Sequence, residues 1–372
     1  MEPNPAPPPR RRRILTLDGG GIRGVFSVEL LVRMEELLRR HTGNPRLVLA
    51  DHFDLIAGTS TGAIIASYLS WGESASEVRK LYLREAGKIF VRAPFWRLGR
   101  GWFDERRLTR SLQEFFVEDD AARSPALLGT RRLRTLLLLV MRNATTGSAW
   151  PITNHPAARF NQRLHADGQP NRECNLDLPL WCLVRASAAA PFYFPPESIR
   201  LGDQRFDFID GGITAYNNPA LIAFLTATLS SYRIDWPVGT DRLHLVSVGT
   251  GQTRARINEL LRKIVSFVSY AAVVPAGLMD SISREQDLMC RTLGQCLFGA
   301  PIDSEIGDLT DTDGAGKQFT YVRYNREFAP GEVVEIQRRF RGGLALDNLR
   351  LVDFLCEEGV RYAGNLRLEH LL

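Results

Sequence analysis

The stretch GTSTG at residues 58–62 places a serine, Ser60, in the pattern G-x-S-x-G. This pattern is typical of a nucleophile elbow, in which a strand turns sharply into a helix and projects the serine hydroxyl from the turn. Gly58 and Gly62 would leave room for neighbouring backbone, and the amide after Ser60 would lie at a helix N-terminus, where an oxyanion could form. The flanking stretches FDLIAG and GAIIASYLSW fit a strand and a small-residue helix. We therefore expect Ser60 to be a nucleophile; a plain tight turn is the alternative.

A serine nucleophile needs a base, and the sequence offers histidines and one well-placed aspartate. The six histidines are His41, His52, His155, His165, His244 and His370. None stands in a loop motif typical of catalysis, and the one within LHLVSV is expected to be a packed strand residue. Asp210 is the better candidate, because in FIDGGITAYNNP it ends an apolar stretch and precedes two glycines, which predicts a tight turn exposing its carboxylate. An ordinary turn-forming aspartate is the other interpretation.

The stretch LTLDGGGIRG at residues 15–24 admits two interpretations. Gly19, Gly21 and Gly24 match G-x-G-x-x-G, the dinucleotide-binding fingerprint, whereas the backbone amides of the same loop could instead hold an oxyanion. A dinucleotide site would need an acidic residue about 20 positions further on to bind ribose, and the corresponding stretch RRHTGNP contains none. Asp18 would also place a carboxylate beside the pyrophosphate. These observations favour the oxyanion interpretation.

Each of the three motifs follows a stretch that resembles a strand. Strands are predicted for RILTLD, FDLIAG, RTLLLLVMRN, FDFID and RLHLVSVGTG, and helical patterns such as VFSVELLVRMEELLRR alternate with them. This alternation predicts an α/β fold with a mostly parallel central sheet. Reactive loops of such sheets lie at the carboxyl ends of strands, where we expect the glycine loop, the GTSTG turn and Asp210 to meet.

The texture of the sequence divides the chain into three parts. Residues 1–13 are rich in proline and then arginine, which predicts an extended, solvated tail. Residues 14–252 carry the alternating pattern and all three motifs, so we expect them to form the catalytic domain. Residues 253–372 are more helical and are predicted to be a C-terminal extension packed on that domain.

The motifs DGGGIRG, GTSTG and DGG, at residues 18–24, 58–62 and 210–212, together resemble those of the patatin-like phospholipases. The stretches ASAAAPFYFPP, NNP and VSVGTG are also similar to that family, and the resemblance covers roughly residues 14–252. It implies a three-layer α/β fold and hydrolysis of phospholipid acyl esters by a Ser–Asp dyad through an acyl-enzyme. No metal or other cofactor is implied, because an aspartate-based mechanism does not need calcium.

The resemblance also implies a role for each motif residue. Ser60 becomes the nucleophile and Asp210 its base. The oxyanion-hole amides are assigned to Gly19, Gly20 and Gly21. The residues expected to brace this loop are Asp18, Arg23 and Gly24, with the arginine adding positive potential. The elbow is shaped by Gly58 and Gly62.

The composition is that of an ordinary globular protein. The chain has 372 residues, 44% of them hydrophobic and 24% charged, with a net charge of +5. This small basic excess suits anionic partners such as lipid headgroups or nucleic acid without choosing between them. The five cysteines are odd in number and form no C-x-x-C pair, which indicates inert thiols in a reducing compartment. No apolar run is long enough to span a membrane and MEPNPAPPPRRRR lacks an apolar signal core, so we expect a cytoplasmic protein.

Two segments are candidates for membrane contact. Residues 88–103 interleave aromatic with basic side chains. This composition suits an anionic bilayer surface or a substrate channel and equally suits a buried structural role, with nucleic-acid binding as a third alternative. Residues 264–279 are apolar and predict a core helix, with a lid or a homo-oligomer contact as alternatives. We expect membrane phospholipids to be the partners, with peripheral association during activity, and no nucleic-acid polymer.

The resemblance extends to regulation. Compact patatin-like enzymes of this arrangement resemble bacterial antiphage effectors that cyclic nucleotides switch on, so a cyclic-nucleotide activator is one hypothesis. A catalytically idle membrane- or partner-binding protein with the same fold is the main competing hypothesis for function. The intact Ser60, Asp210 and loop glycines argue against it.

Overall fold

The computed structural model describes eight parts of the chain: residues 10–89, 103–119, 121–165, 167–191, 193–253, 267–310, 314–341 and 343–372. The strands in these parts are β1 (Arg12–Leu17), β2 (Leu55–Thr59), β3 (Val117–Asp119), β4 (Ser124–Pro125), β5 (Leu136–Asn143), β6 (Ala149–Thr153), β7 (Glu197–Leu201), β8 (Gln204–Asp210), β9 (Leu243–Val248), β10 (Gln252–Thr253), β11 (Gln295–Phe298), β12 (Thr320–Tyr324) and β13 (Glu327–Phe328). The α-helices are α1 (Gly24–Thr42), α2 (Leu49–His52), α3 (Thr61–Trp71), α4 (Ala75–Ile89), α5 (Glu105–Phe115), α6 (Leu180–Ser187), α7 (Ala220–Thr228), α8 (Phe267–Leu293), α9 (Pro330–Arg339) and α10 (Val352–Tyr362).

One large sheet organises the described residues. Its nine strands follow the order β11-β12-β9-β1-β2-β5-β8-β7, and β6 also pairs with β5. All neighbouring pairs from β11 to β5 are parallel, whereas β6, β8 and β7 pair antiparallel. The predicted α/β class with a mostly parallel sheet is therefore confirmed.

Helices cover both faces of this sheet. Leu15 and Leu17 of β1 point to one face, where they pack in a core with residues of α1, α3, α6 and α10. Ile14 points to the other face and packs in a second core with residues of α7 and α8. Successive side chains of a strand alternate between faces, so the buried half of β1, residues 14–17, supplies both cores and makes the fold three-layered.

The C-terminal part of the chain, after residue 252, contributes strands to the main sheet. Besides helices, it supplies β11 and β12, two strands that the sequence did not lead us to expect. β12 pairs in parallel with β9, placing Arg323 beside Ser247. Helix α10 packs on α1, with Gly359 lying against Glu29. The region after residue 252 therefore extends the main sheet directly.

The two segments considered for membrane contact are described only in part. Residues 90–102 and 264–266 lie outside the described residues, and the side chains of 267–276 are not described either. Among the described residues, no helix has both the length and the apolarity needed to cross a bilayer.

Candidate active site

A strained turn between β2 and α3 presents Ser60. The residue has φ 56° and ψ −123°, a conformation that costs a non-glycine residue about 1–3 kcal/mol. The flanking glycines make this turn sterically feasible. A Cβ on Gly58 would overlap the backbone of Gly62, and a Cβ on Gly62 would overlap the carbonyl oxygen of Leu17. The pattern G-x-S-x-G is therefore a steric requirement of this elbow.

Ser60 meets Asp210 across the end of β2. The Ser60 Oγ donates a hydrogen bond of 2.5 Å to Asp210 Oδ2. The second carboxylate oxygen accepts a 2.6 Å hydrogen bond from the amide of Gly212, and the Asp210 amide donates to Ala189. The carboxylate is thus held on both sides and directed at the serine.

Ser60 and Asp210 come together because of a strand arrangement that the sequence did not predict. Strand β8 runs antiparallel to β5, so Asp210 does not follow a parallel strand. Thr59 pairs with Val140, and Asp210 pairs with the next residue, Met141. Because β6 pairs with both of these β5 residues on the opposite side, β2 and β8 share one edge of β5 and meet end to end. Two opposed strand ends therefore deliver the hydroxyl and the carboxylate to the same point.

Burial governs the protonation of Asp210. It raises the pKa of this carboxyl from 3.8 to about 6, while the hydrogen bonds from Ser60 and Gly212 act in the opposite direction. The group is therefore ionised at neutral pH and can accept a proton, and its basicity exceeds that of an exposed aspartate.

No histidine takes part in this arrangement. All six histidines lie in the described residues, and none of them forms a hydrogen bond with Ser60 or Asp210. His244 bridges Thr320 and the carbonyl of His370 inside the sheet region, as expected of a packed strand residue. Burial lowers the pKa of His244 to about 3, which keeps its ring neutral.

Ser187 is a residue of the site that sequence reasoning missed. Its hydroxyl accepts a 3.1 Å hydrogen bond from the Ser60 amide and donates one of 2.5 Å to the carbonyl of Val140. It therefore ties the nucleophile's backbone to β5. The signal was available in ASAAAPFYFPP, where one hydroxyl stands among alanines at the end of a helix.

The glycine loop lies beside Ser60, with one departure from the prediction. The amide of Gly19 donates to the carbonyl of Asn217 at 3.0 Å, so it is not available to an oxyanion. The amides of Gly20, Gly21 and Thr61 have no acceptor within the described part of the chain. Two of the three predicted loop donors thus remain, together with the amide that follows the serine.

The predicted bracing residues all contact the loop or its neighbours. Asp18 forms two hydrogen bonds with the guanidinium of Arg323, at 2.8 and 2.5 Å. Arg23 donates to the carbonyl of Gly251 at 3.1 Å. Gly24 lets the start of α1 approach Thr61, whose Oγ1 a Cβ at this position would crowd. The partner of Asp18 was not identifiable from the sequence, because it lies 305 residues further along the chain.

The sheet, its two helical layers and a serine elbow facing a buried carboxylate define a patatin fold. A sequence model of the family described as Patatin-like phospholipase matches residues 15–224, and the chain belongs to that family. The match contains Ser60 and Asp210, whereas Arg323 lies beyond it.

Curated relatives support the same assignment. The chain is 30% identical over 251 residues to a cGAMP-activated phospholipase of Vibrio cholerae, with 64% of each chain covered. It is 28% identical to Patatin-like protein 4 of Arabidopsis thaliana, covering 65% of this chain and 60% of that protein. The chain therefore spans less than two thirds of these relatives. Among solved structures, VipD from Legionella pneumophila is 13% identical with a TM-score of 0.34, covering 94% of this chain and 67% of that one.

Proposed function

We propose that this protein is a lipid acyl hydrolase that cleaves fatty-acyl esters of membrane phospholipids through a Ser60–Asp210 dyad. The observation that carries the proposal is the 2.5 Å hydrogen bond from the Ser60 hydroxyl to a buried carboxylate. Membership of the patatin-like phospholipase family supports the substrate class. The amides of Gly20, Gly21 and Thr61, which have no acceptor in the described ranges, support an acyl-transfer reaction, because such donors stabilise an oxyanion.

Acylation begins when Asp210 Oδ2 accepts the Ser60 proton. The Ser60 Oγ bonds to the acyl carbon, and the carbonyl π electrons move to its oxygen, which accepts hydrogen bonds from the three amides. Collapse of this intermediate breaks the bond to the alcohol oxygen, and Asp210 returns the proton to the departing lysophospholipid. The pKa of about 6 suits both transfers, since a base near the working pH can also act as an acid.

Deacylation reverses these roles with water. Asp210 accepts a proton from a water molecule whose oxygen attacks the Ser60 acyl ester, and the same amides hold the second oxyanion. The bond between Ser60 Oγ and the acyl carbon then breaks, Ser60 regains its proton from Asp210, and the fatty acid leaves. Ser60 and Asp210 thereby supply the nucleophile, base and acid of the whole cycle.

The test compares the wild type with Ser60→Ala on vesicles of mixed phospholipids, with the products identified by mass spectrometry. We expect free fatty acid and lysophospholipid from the wild type and a loss of at least about 1,000-fold in the variant. A fluorophosphonate probe should label the wild type alone. An idle binding protein would bind the vesicles without product or labelling, and full activity in the variant would refute the serine assignment.

We further propose that a cyclic nucleotide activates the enzyme, in a role related to antiphage defence. Two relatives are named cGAMP-activated phospholipases, at 30% and 29% identity. A cavity of about 830 Å³ beside α4 and α5 supplies cationic groups for such a ligand. Its arginines are Arg84, Arg106, Arg107 and Arg110, and its lining also includes Glu85, Asp104 and Glu114. We take this cavity as the candidate site because α4 also carries Tyr82, which contacts the glycine loop.

A panel of cyclic di- and trinucleotides tests this activation. One member should raise the hydrolysis rate of the wild type, and the variant with Arg107→Glu and Arg110→Glu should lose the response while keeping its unstimulated rate. If no member changes activity or oligomeric state, the activation proposal fails. A response that survives in the variant would place the ligand elsewhere.

We propose a cytoplasmic location with peripheral membrane association during turnover. The five cysteines are unpaired, which suits a reducing compartment, and residues 88–103 combine aromatic and basic side chains. Sedimentation with anionic and neutral vesicles tests the association. We expect the protein to sediment with vesicles, and more of it to do so when the vesicles contain anionic lipid. If as much protein sediments without vesicles, the proposed membrane association is not supported.

A further inference from the structure

A buried ion pair joins the first residue of the glycine loop, Asp18, to Arg323 of β12. Arg323 is 2% exposed and Asp18 is 4% exposed, and the two form a bidentate contact. The guanidinium also donates a 2.7 Å hydrogen bond to the hydroxyl of Ser247 on β9. Burial acts to lower the pKa of Arg323, but the Asp18 carboxylate more than offsets this, so the guanidinium stays charged. The pair therefore links β12 rigidly to the residue that precedes Gly19.

All three glycines after Asp18 have their carbonyl groups engaged in hydrogen bonds. The Gly19 carbonyl accepts from Thr250 and Asn217, the Gly20 carbonyl from the amide of Arg23, and the Gly21 carbonyl from the hydroxyl of Tyr82. Because these carbonyls are held and the amides of Gly20 and Gly21 have no acceptor among the described residues, the orientation of the loop decides whether those amides can reach a reacting ester. Asp18 sets that orientation at the loop's first residue, because both of its carboxylate oxygens are bound.

We propose that Arg323 is a positioning residue for the ester hydrolysis proposed above: it holds Asp18 so that the loop amides stay aimed at the oxyanion. This inference rests on the proposed function. It assigns a role in the reaction to a residue outside the range of the family match, which ends at residue 224. A bidentate guanidinium suits this task because its rigid fork fixes the carboxylate in direction as well as distance.

The test uses Arg323→Met, Arg323→Lys and the double variant Asp18→Asn with Arg323→Met. Arg323→Met should lower kcat about 10- to 100-fold with little change in KM, since misplaced donors weaken binding of the transition state rather than of the substrate. Arg323→Lys keeps the positive charge but cannot bind both carboxylate oxygens at once, so its kcat should lie between those of the wild type and Arg323→Met. It also carries the comparison if Arg323→Met does not fold.

The double variant separates positioning from stability. Removing both charges avoids an unpaired buried carboxylate, so its melting temperature should exceed that of Arg323→Met. Its kcat should nevertheless stay low, because the side chain of residue 18 has lost its bidentate partner and only the backbone bond to Val248 still holds this residue. Recovery of wild-type kcat in the double variant would overturn the inference.

A second ion pair with a buried carboxylate provides the control. Glu35 and Arg39 of α1 form an ion pair at 2.6 Å, the glutamate is 2% exposed, and neither residue bonds to the glycine loop. The variant with Glu35→Gln and Arg39→Met should lose stability with kcat of the folded protein unchanged. If its kcat falls as far as that of Arg323→Met, the effect is structural and the inference fails.

The affinities for two ligands distinguish a positioning role from a simple loss of packing, because a loss of packing would not affect one ligand more than the other. A long-chain trifluoromethyl ketone adds to Ser60 and places an oxyanion in the hole, whereas an ether-linked phospholipid only occupies the site. Arg323→Met should lower the affinity for the ketone by the same factor as it lowers kcat, and should leave the affinity for the ether lipid unchanged. Equal losses of affinity for the two ligands would refute the inference. If Ser60→Ala hydrolyses lipid normally, the proposed function fails instead, which keeps the two failures distinguishable.

Discussion

The nucleophile elbow at residues 58–62 depends mainly on the steric fit of its own glycines, with one hydrogen bond from the Ser60 amide to the distant Ser187. The glycine loop at 18–24 instead takes its shape from several contacts spread along the chain. In the elbow, Gly58 lies against Gly62 and the serine has a positive φ between a strand and a helix. In the loop, separate bonds reach Tyr82, Asn217 and Arg323, and the Ile22 amide bonds to Leu346.

This difference shows that the nucleophile and the oxyanion donors are held in position in different ways. The serine needs a single strained conformation, which a short motif can impose sterically. The oxyanion donors need an orientation relative to that serine, and several distant residues share the task of fixing it. We therefore expect changes at the elbow or dyad to be severe, and single changes around the loop to be graded.

Asp210→Asn should have the largest effect on activity. The amide cannot accept the serine proton, so kcat should fall roughly 1,000- to 10,000-fold, as when the orienting acid of a triad is neutralised. Measurement of kcat on a soluble ester decides this, with Asp207→Asn, an exposed residue of the same strand, as the control. A loss under about 10-fold would mean that Asp210 is not the base.

The same substitution should stabilise the fold at alkaline pH. Burial raises the pKa of Asp210 to about 6, so this group favours folding while protonated, and that contribution is lost as pH rises through 6. Asparagine removes the buried charge and should increase the free energy of unfolding at pH 8 by about 3 kcal/mol, with little change at pH 4. Denaturant titrations at both pH values measure this; an equal effect at both would contradict the linkage.

Gly58→Ala should break the elbow from within. The new Cβ would overlap the backbone of Gly62 and Ala63, which cannot move without displacing α3. We expect loss of most activity and a destabilisation of about 1–3 kcal/mol, the usual range for overpacking. Gly87→Ala is the matched control, because a Cβ there meets nothing within 4 Å and alanine favours the helix. Equal behaviour of the two variants would remove the steric argument.

Low pH should reduce wild-type activity moderately. Protonation of Asp210 removes the base, so kcat/KM should fall about tenfold per pH unit below pH 6 and level off above it. A pH–rate profile on a soluble ester, with stability checked over the same range, gives the apparent pKa. A plateau continuing down to pH 4 would contradict the assigned environment of this carboxyl.

Tyr82→Phe should have the smallest effect and sharpens the contrast with the elbow. The Tyr82 hydroxyl donates to the Gly21 carbonyl at 2.5 Å and lies 2.6 Å from Thr61 Oγ1, so it joins loop and elbow. Because the other loop contacts remain, kcat should fall only about 3- to 10-fold. Tyr68→Phe removes another buried hydroxyl, one that lines the cavity beside α4 and α5 rather than the glycine loop, and should leave the unstimulated kcat unchanged. A collapse of activity in Tyr82→Phe would mean that the loop depends on this one contact.

Much of this site follows from short motifs in the sequence. Ser60, Asp210 and the glycine loop stand out because steric rules act over a few neighbouring residues, and the strand pattern predicts the mostly parallel sheet. Ser187 is less visible because a single hydroxyl among alanines has no motif of its own. The antiparallel course of β8 is also not written in its sequence, since apolar alternation does not encode strand direction.

The sequence by itself determined which groups could react: a serine on an elbow, a carboxylate on a tight turn, and amides in a glycine loop. Only the tertiary structure decided how they act together. It brought Asp210 to Ser60 across 150 residues and paired Asp18 with Arg323 across 305 residues. It also engaged the Gly19 amide, while those of Gly20 and Gly21 have no acceptor among the residues that the structure describes. The physical reason is that glycine and turn patterns record local sterics, whereas a hydrogen-bond partner depends on which strands become neighbours in the sheet.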